Sequence, residues 1–425
     1  MDGKIYDAYV NILKEELVPA MGCTEPIAIA YAAAVARETL GSIPKSVRIS
    51  ASGNIIKNVK SVVVPNTGGL RGIAAAAAAG IVAGKAEKKL EVLAEITKEE
   101  IEEISDYLKE VSFQLTASQS KCIFDIYVEV QDGEHSAEVQ IQGQHTNIVQ
   151  IRKNGETLFG KEYSSEEENC GGTDKGLLTV ERIIQFADEV KISDVEETIT
   201  RQIEYNTAIA QEGLKGNWGA NIGKILLQSY GNSVQNRAKA MAAAGSDARM
   251  NGCEMPVVIN SGSGNQGMTA SLPVIVYAED MKVSRELLIR ALVVSNLVSI
   301  HLKSGIGTLS AYCGAISAGC GAGAGITYLY GGGYTQVAHT IVNALAINSG
   351  VVCDGAKASC AAKIASAVEA GTLGMKMYQF GSQFYGGDGI VAKGIEETIE
   401  NVAQLARDGM KETDKKIIEI MIDKI

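Results

Sequence analysis

"LSAYCGAISAGCGAGAG" (residues 309–325) belongs to a long stretch of chain that is rich in glycine, alanine and serine and carries no charged side chain. The charge-free stretch runs from residue 304 to residue 353, which is long enough to span a membrane. It lacks a sustained run of leucine, isoleucine or phenylalanine, and polar side chains such as Asn343 are interspersed in it. Because small side chains let helices approach closely, we expect the centre of a tightly packed helical domain that is buried in protein and not in lipid.

The whole chain has the composition of an acidic globular protein. It has 425 residues, of which 46% are hydrophobic and 21% charged, and its net charge is −11. This charge does not favour a nucleic-acid surface. The start of the chain, "MDGKIYDAYVNILKEEL", is acidic and amphipathic and lacks the basic-then-apolar layout of a signal peptide. We therefore expect a cytoplasmic protein that binds neither nucleic acid nor membranes.

Residues 1–168 mix helix patterns with strand patterns. Helices are predicted over residues 2–18, 26–40, 70–84 and 97–110, and the last begins with a capping-box pattern of Thr97 and Glu100. Alternating or β-branched runs, most of them ended by glycine, predict strands in "SVRISASG", "KSVVVP", "KCIFDIYVEVQDG", "HSAEVQIQG" and "HTNIVQIRKNG".

The polar segment "SSEEENCGGTDKG" (residues 164–176) predicts a domain boundary, and beyond it nearly every pattern is helical. The fold class expected is an α+β N-terminal domain followed by a predominantly α-helical, Gly/Ala-rich C-terminal domain. We place these domains at residues 1–168, on the substrate side, and at residues 169–425.

Four of the eight cysteines lie between residues 313 and 360, in "AYCGAISAGC" and "VVCDGAKASC". Disulfides explain them poorly, because reduced thiols are expected without an export signal. Cys313, Cys353 and Cys360 lie among small residues that leave room for an iron–sulfur cluster, and a cluster with three protein ligands keeps one iron open to substrate. The spacing matches neither zinc ribbons nor ferredoxins, so buried structural thiols remain the alternative to a metal site.

Other polar residues stand where helices are predicted to begin. Cys23 precedes a predicted helix N-terminus, where the helix dipole favours thiolate, and the alternative is a thiol that only packs the turn. "VVVPNTGGLRG" (residues 62–72) and "VINSGSGNQGM" (residues 258–268) are turns that offer N–H groups and hydroxyls to an anion, or are ordinary turns. His145 is either an acid or base or a structural histidine.

Seven motifs, in order along essentially the whole chain, resemble the L-cysteine desulfidase family, which is related to the iron–sulfur-dependent L-serine dehydratases. They are "MGCTEP", "NTGGLRG", "HTNIV", "INSGSGNQG", "LSAYCGAISAGCGAGAG", "VVCDGAKASCAAK" and "GGDGIV". The resemblance implies an enzyme that performs β-elimination on a small amino acid without pyridoxal phosphate. It also implies that the C-terminal domain holds a [4Fe–4S] cluster.

The resemblance also implies roles for single residues. Cys313, Cys353 and Cys360 match the cluster cysteines of the serine dehydratase relatives, whereas Cys320 matches a cysteine that is not a ligand. Where those relatives carry a Ser-Ser-Ser-His-Thr turn, this chain has Met21-Gly22-Cys23-Thr24, which favours cysteine over serine as the substrate.

We therefore expect a carbon–sulfur lyase that converts L-cysteine to hydrogen sulfide, pyruvate and ammonia. The alternatives are an L-serine or other hydroxy-amino-acid dehydratase, a related ammonia-lyase, and a non-enzymatic iron–sulfur redox sensor. The oligomeric state is left open, with a homodimer as one option. Cys23 is the first candidate for the base and His145 the second, and the candidates for substrate binding are Thr24, Asn66, Thr67, Ser263 and Asn265.

Overall fold

The computed structural model describes residues 1–21, 24–120, 122, 124–163, 172–307 and 310–422. The chain divides into two compact units. The helical unit comprises Met1–Met21, Gly172–Cys353 and Ala358–Lys411, and the sheet unit comprises Gly22–Gly171, Asp354–Lys357 and Glu412–Ile425. This division differs at both ends of the chain from the single boundary expected after residue 168.

The helices of the described chain are, in order, α1 (Gly3–Glu16), α2 (Thr24–Leu40), α3 (Gly53–Val59), α4 (Gly72–Val82), α5 (Lys98–Glu110), α6 (Val180–Glu189), α7 (Ile192–Lys215), α8 (Ile222–Tyr230), α9 (Val234–Met250), α10 (Gly264–Met281), α11 (Arg285–Ile306), α12 (Gly314–Leu329), α13 (Tyr334–Asn348), α14 (Cys360–Gln379), α15 (Ile395–Gln404) and α16 (Lys411–Ile422). The strands are β1 (Pro19–Met21), β2 (Ser46–Ala51), β3 (Ser112–Ala117), β4 (Asp125–Gln131), β5 (Ser136–Gln142), β6 (Ile148–Lys153), β7 (Glu156–Gly160) and β8 (Pro256–Val258).

The sheet unit is built on one mixed sheet with the strand order β3-β2-β4-β5-β6-β7. Strands β2 and β3 are parallel, and the other neighbouring strands are antiparallel. Alternation along β5 buries Ala137, Val139 and Ile141, which pack in one core with the buried face of α2. The expected α+β architecture is therefore present.

The end of the chain packs in the sheet unit and not with the helices that precede it. Lys57 of α3 forms an ion pair with Asp414 of α16 at 2.5 Å, and both side chains are largely buried. The Ile418 side chain reaches 2.3 Å from where a Cβ on Gly53 would lie, so α16 packs directly on the first residue of α3.

The start of the chain packs in the helical unit. The Tyr9 ring of α1 lies 5.2 Å from the Phe186 ring of α6, and its hydroxyl donates a hydrogen bond to the Leu177 carbonyl. Strand β1 pairs antiparallel with β8 of the same unit. The buried face of α1 thus packs against residues that are far along the chain, and local sequence patterns do not predict such contacts.

Helix α12 lies at the centre of the helical unit, and its glycines permit close packing. A Cβ on Gly321 would lie 2.4 Å from the Ser295 carbonyl oxygen of α11, and a Cβ on Gly319 would lie 2.4 Å from the Ala367 carbonyl oxygen of α14. The buried, closely packed helices expected from the charge-free stretch are confirmed. Helix α11 is apolar and long enough to cross a membrane, but 67% of its most apolar window is buried inside the protein, as in a core helix.

Strand predictions were correct for β2, β4, β5 and β6, and the capping box at Thr97 is present. The strand expected in "KSVVVP" is wrong. The Val64 amide instead bonds the Leu70 carbonyl, and the Gly72 amide bonds the Val62 carbonyl. The chain thus turns back on itself directly after Pro65, which has no amide hydrogen to donate to a ladder. Strands β1, β3 and β7 were missed.

Candidate functional site

Two of the three predicted cluster cysteines meet in the helical unit through a short antiparallel contact. Tyr312 and Val352 form an isolated β-bridge, and the Cys313 amide donates to the Val351 carbonyl at 3.1 Å. This pairing brings the thiols of Cys313 and Cys353 into hydrogen-bond contact. Chain segments that are forty residues apart in sequence thereby present two sulfurs to one place.

The third cysteine, Cys360, is the first residue of helix α14. The electrostatic effect of its thiol raises the pKa of Cys313. The side chain of Lys363, in the first turn of α14, donates to the Val352 carbonyl at 2.8 Å. This bond attaches the start of α14 to the segment that carries Cys353. Cys313 stands at the N-cap of α12, so both helices begin at a cysteine.

The thiols differ in burial, and burial affects their acidity. The hydrogen bond with Cys353 and then desolvation raise the pKa of Cys313 above its ordinary value, whereas the Ala315 amide opposes the shift. Cys353 and Cys360 are partly exposed. Cys320 is 1% exposed, and burial raises its pKa to about 12, which fits the structural role expected for it.

The chemistry of the three cysteines is compatible with a thiolate-bound iron–sulfur cluster. Within the described ranges, no group of three or more His, Cys, Asp or Glu side chains is arranged to hold one ion. A cluster spreads its cysteine ligands over several irons and therefore does not need them around a single point. Two thiols in hydrogen-bond contact, with a third that acts electrostatically on one of them, are compatible with that requirement. Their role as ligands stays a prediction.

The turn "INSGSGNQGM" lies beside this cysteine group in the same unit. Ser263 is the N-cap of α10, and its hydroxyl accepts a hydrogen bond from the Gln266 amide at 3.4 Å. A Cβ on Gly314, the residue after Cys313, would lie 2.7 Å from the Gln266 carboxamide carbon. The side-chain oxygen of Asn265 is buried and has no hydrogen-bond partner in the described part of the chain. Ser263 thus has a capping role, and the predicted contacts of Ser263 and Asn265 with substrate stay predictions.

In the sheet unit, the structure gathers polar groups around Glu25, which sequence reasoning missed although it follows Thr24 in "MGCTEP". Asn58 donates to its carboxylate at 3.2 Å, and the Thr24 hydroxyl lies 3.5 Å from it. Desolvation lowers the pKa of His145, while the Glu25 carboxylate acts in the opposite direction. The lowered pKa favours the neutral imidazole, and the ring packs against Phe124 with ring centroids 4.6 Å apart. Cys23 lies outside the described residues.

Asn66 and Thr67 hold their own loop in place. The Asn66 side chain donates to the Leu93 carbonyl at 3.0 Å, and the Thr67 hydroxyl donates to the Val64 carbonyl at 2.8 Å. Asn66 has a φ of 59°, and Thr67 is 1% exposed. Their predicted contact with substrate stays a prediction, because these bonds already give both side chains a structural role.

Comparison with known proteins places these features in a family. Residues 87–419 match the family of the serine dehydratase alpha chain. The chain is 61% identical over 420 residues to a UPF0597 protein of Desulfitobacterium hafniense, covering 99% of this chain and 97% of the relative. It is 52% identical to a UPF0597 protein of Lachnoclostridium phytofermentans over 99% of this chain and 100% of the relative. The chain therefore belongs to the serine dehydratase alpha chain family.

Proposed function

We propose that the protein is a [4Fe–4S]-dependent lyase that eliminates hydrogen sulfide from L-cysteine without pyridoxal phosphate. The observation that carries the proposal is the contact between the Cys313 and Cys353 thiols, with the Cys360 thiol close enough to act electrostatically on Cys313. Membership of the serine dehydratase alpha chain family supports a serine dehydratase-like lyase. The step from that activity to cysteine is our own.

The reaction breaks two bonds of the substrate. The α-proton passes to a base of the protein, and the electron pair it leaves forms the Cα–Cβ double bond while the C–S pair departs with sulfur. The departing sulfide takes up a proton, and the aminoacrylate becomes an imine and is hydrolysed by one water to pyruvate and ammonia. When bound, a cluster with one iron free of protein ligands supplies a Lewis acid for the departing sulfur.

The protein's own part is to hold the thiol ligands and to move the α-proton. Cys23 and His145 are the candidate bases. The lowered pKa of His145 supports it, because a base must be unprotonated at the pH of the reaction. Cys23 is supported by its position just before a helix that starts at Thr24, where the helix dipole favours thiolate.

Serine is the second candidate substrate, and the family description favours it. The difference between the substrates is the leaving group, which is sulfide from cysteine and hydroxide from serine. Cys23 stands where the serine dehydratase relatives are expected to carry serine and histidine, and this departure supports cysteine. Assay of anaerobically purified protein with both amino acids, following sulfide and pyruvate, decides between them. Pyruvate from serine at a higher kcat/KM than from cysteine would overturn the choice of cysteine.

The cluster assignment is tested with a matched pair of variants. Cys353→Ala should lose iron, visible absorbance and turnover, because a thiolate ligand is removed. Cys320→Ala should retain iron, since this buried thiol is assigned no ligand role. Full iron and activity in Cys353→Ala would contradict the proposal. A protein that binds the cluster but turns over neither amino acid is better described as an iron–sulfur redox sensor.

A further inference from the structure

A short loop, Asp354–Lys357, joins two of the predicted cluster cysteines. Both Cys353 and Cys360 belong to the helical unit, whereas the loop between them belongs to the sheet unit. The loop is closed on itself, because the Lys357 ammonium donates a hydrogen bond to the Asp354 carboxylate. Whatever holds this loop therefore limits where the two thiols can lie.

The carboxyl end of α3 holds the loop. The Ala356 amide donates a hydrogen bond to the Lys57 carbonyl at 3.1 Å. Lys57 is one of the last four residues of α3, whose carbonyls have no amide of a following helical turn to accept from. Gly355 has a φ of 95°, and a Cβ there would lie 2.2 Å from the same carbonyl oxygen. The loop can therefore lie this close to α3 only with glycine at this position.

The side chain of the same lysine is held by the last helix. Lys57 is 5% exposed, and its ammonium pairs with the Asp414 carboxylate of α16 at 2.5 Å. One turn further along α16, Ile418 packs on Gly53, which is one turn earlier in α3. The two contacts come in opposite order along the two helices, so α16 runs antiparallel to α3 on this face. Because a buried ammonium is unfavourable without a counter-charge, Asp414 fixes α3 against α16.

We infer that Lys57 and Asp414 are positioning residues for the iron–sulfur ligands. The buried pair fixes α3, and the Lys57 carbonyl then holds the loop that sets the spacing of Cys353 and Cys360. Both residues act through the loop and not by contact with the cluster. The inference rests on the proposed function only in taking these two cysteines as cluster ligands.

The test measures how fast a ferrous chelator removes iron from the anaerobically reconstituted, cluster-containing protein. Asp414→Asn keeps the size of the side chain and removes the negative charge beside the Lys57 ammonium. This variant should release iron roughly 10- to 100-fold faster than the wild type, which is the usual effect of losing an outer partner of a metal ligand. The visible circular dichroism of its cluster should also change, because the geometry of the thiolate ligands changes.

Gly355→Ala disturbs the same loop from its other side. The added carbon would push the loop away from the Lys57 carbonyl and leave the pair of Lys57 and Asp414 in place. This variant should therefore also release iron faster than the wild type. It carries the test if Asp414→Asn does not fold.

Two control variants separate positioning from stability and from surface charge. Val139 is fully buried in β5, so Val139→Ala lowers the stability of the sheet unit while leaving the pair and the loop contact in place. Lys415→Gln removes an exposed ion pair with Glu412 on α16. Both controls should release iron at the wild-type rate and keep the wild-type circular dichroism.

The outcomes separate the positioning role from the reaction. A wild-type release rate in folded Asp414→Asn or in Gly355→Ala overturns the inference whatever the activity. An equal acceleration in Val139→Ala also overturns it, because the effect would then be one of stability alone. Faster release in the two loop variants of a protein that eliminates neither cysteine nor serine supports the positioning role and overturns the proposed function. A wild-type protein that binds no cluster overturns both.

Discussion

The close crossing of α12 and α14 should be required for holding iron, and Gly319→Ala tests this requirement. The added carbon would lie 2.4 Å from the Ala367 carbonyl oxygen. An ordinary carbon–oxygen contact is about 3.4 Å, so the helices would have to separate by about 1 Å. The obstacle is backbone, which cannot rotate away as a side chain can. Overpacking of this kind lowers the free energy of unfolding by about 1–3 kcal/mol.

The displacement would act on the cysteines because the crossing is near both of them. Gly319 lies six residues after Cys313, and Ala367 lies seven residues after Cys360. At ~1.5 Å of rise per residue, each cysteine is within about 11 Å of the crossing along its own helix. A shift of about 1 Å at the crossing should therefore carry into the spacing of the thiols.

The assay is iron per chain after anaerobic reconstitution, with urea unfolding of the same samples. Gly319→Ala should hold less iron than the wild type and unfold at a lower urea concentration. Gly350→Ala is the control, since Gly350 is exposed and a Cβ there would meet nothing within 4 Å. Equal iron and equal unfolding midpoints in the two variants would refute the packing argument. Lower stability with full iron would refute only the link between the crossing and the thiols.

Three further predictions concern the proposed base, oxygen and pH. If Cys23 is the base, Cys23→Ser should keep its cluster and lose turnover by ~10²–10⁴-fold, and exchange of the substrate's α-proton with deuterated solvent should cease. Exchange at the wild-type rate in Cys23→Ser would assign the base to His145. In that case His145→Gln should abolish the exchange. Air should inactivate the enzyme, and anaerobic iron and sulfide should restore activity; full turnover by iron-free protein would contradict the mechanism. Burial raises the pKa of Asp247 from 3.8 to about 6. The stability that protonated Asp247 contributes is therefore fully present below pH 3.8 and is lost as the pH rises through about 6. Between about pH 4 and pH 8, the wild type should therefore lose about 2 kcal/mol more of its free energy of unfolding than Asp247→Asn, measured by urea unfolding. Equal losses would show that Asp247 titrates normally.

Features that depend on neighbouring residues were readable from the sequence. The capping box at Thr97 involves side chains three residues apart, and the alternation along β5 is set by its own residues. The absence of charge from residue 304 to residue 353 already indicated a buried helical centre, and the motif cysteines marked the candidate site. Local geometry and solvation decide such features, so the local sequence is enough to predict them.

Features that depend on distant partners required the tertiary structure. Alternation is present in β3, but its parallel pairing with β2 joins segments on either side of α3, α4 and α5. Helix α1 packs in the helical unit and α16 in the sheet unit, against the order of the chain. The bridge between Tyr312 and Val352 decides that Cys313 meets Cys353. Residue patterns state which side of an element is apolar, whereas the shapes of packed surfaces select its partner, and those shapes exist only once the chain is folded.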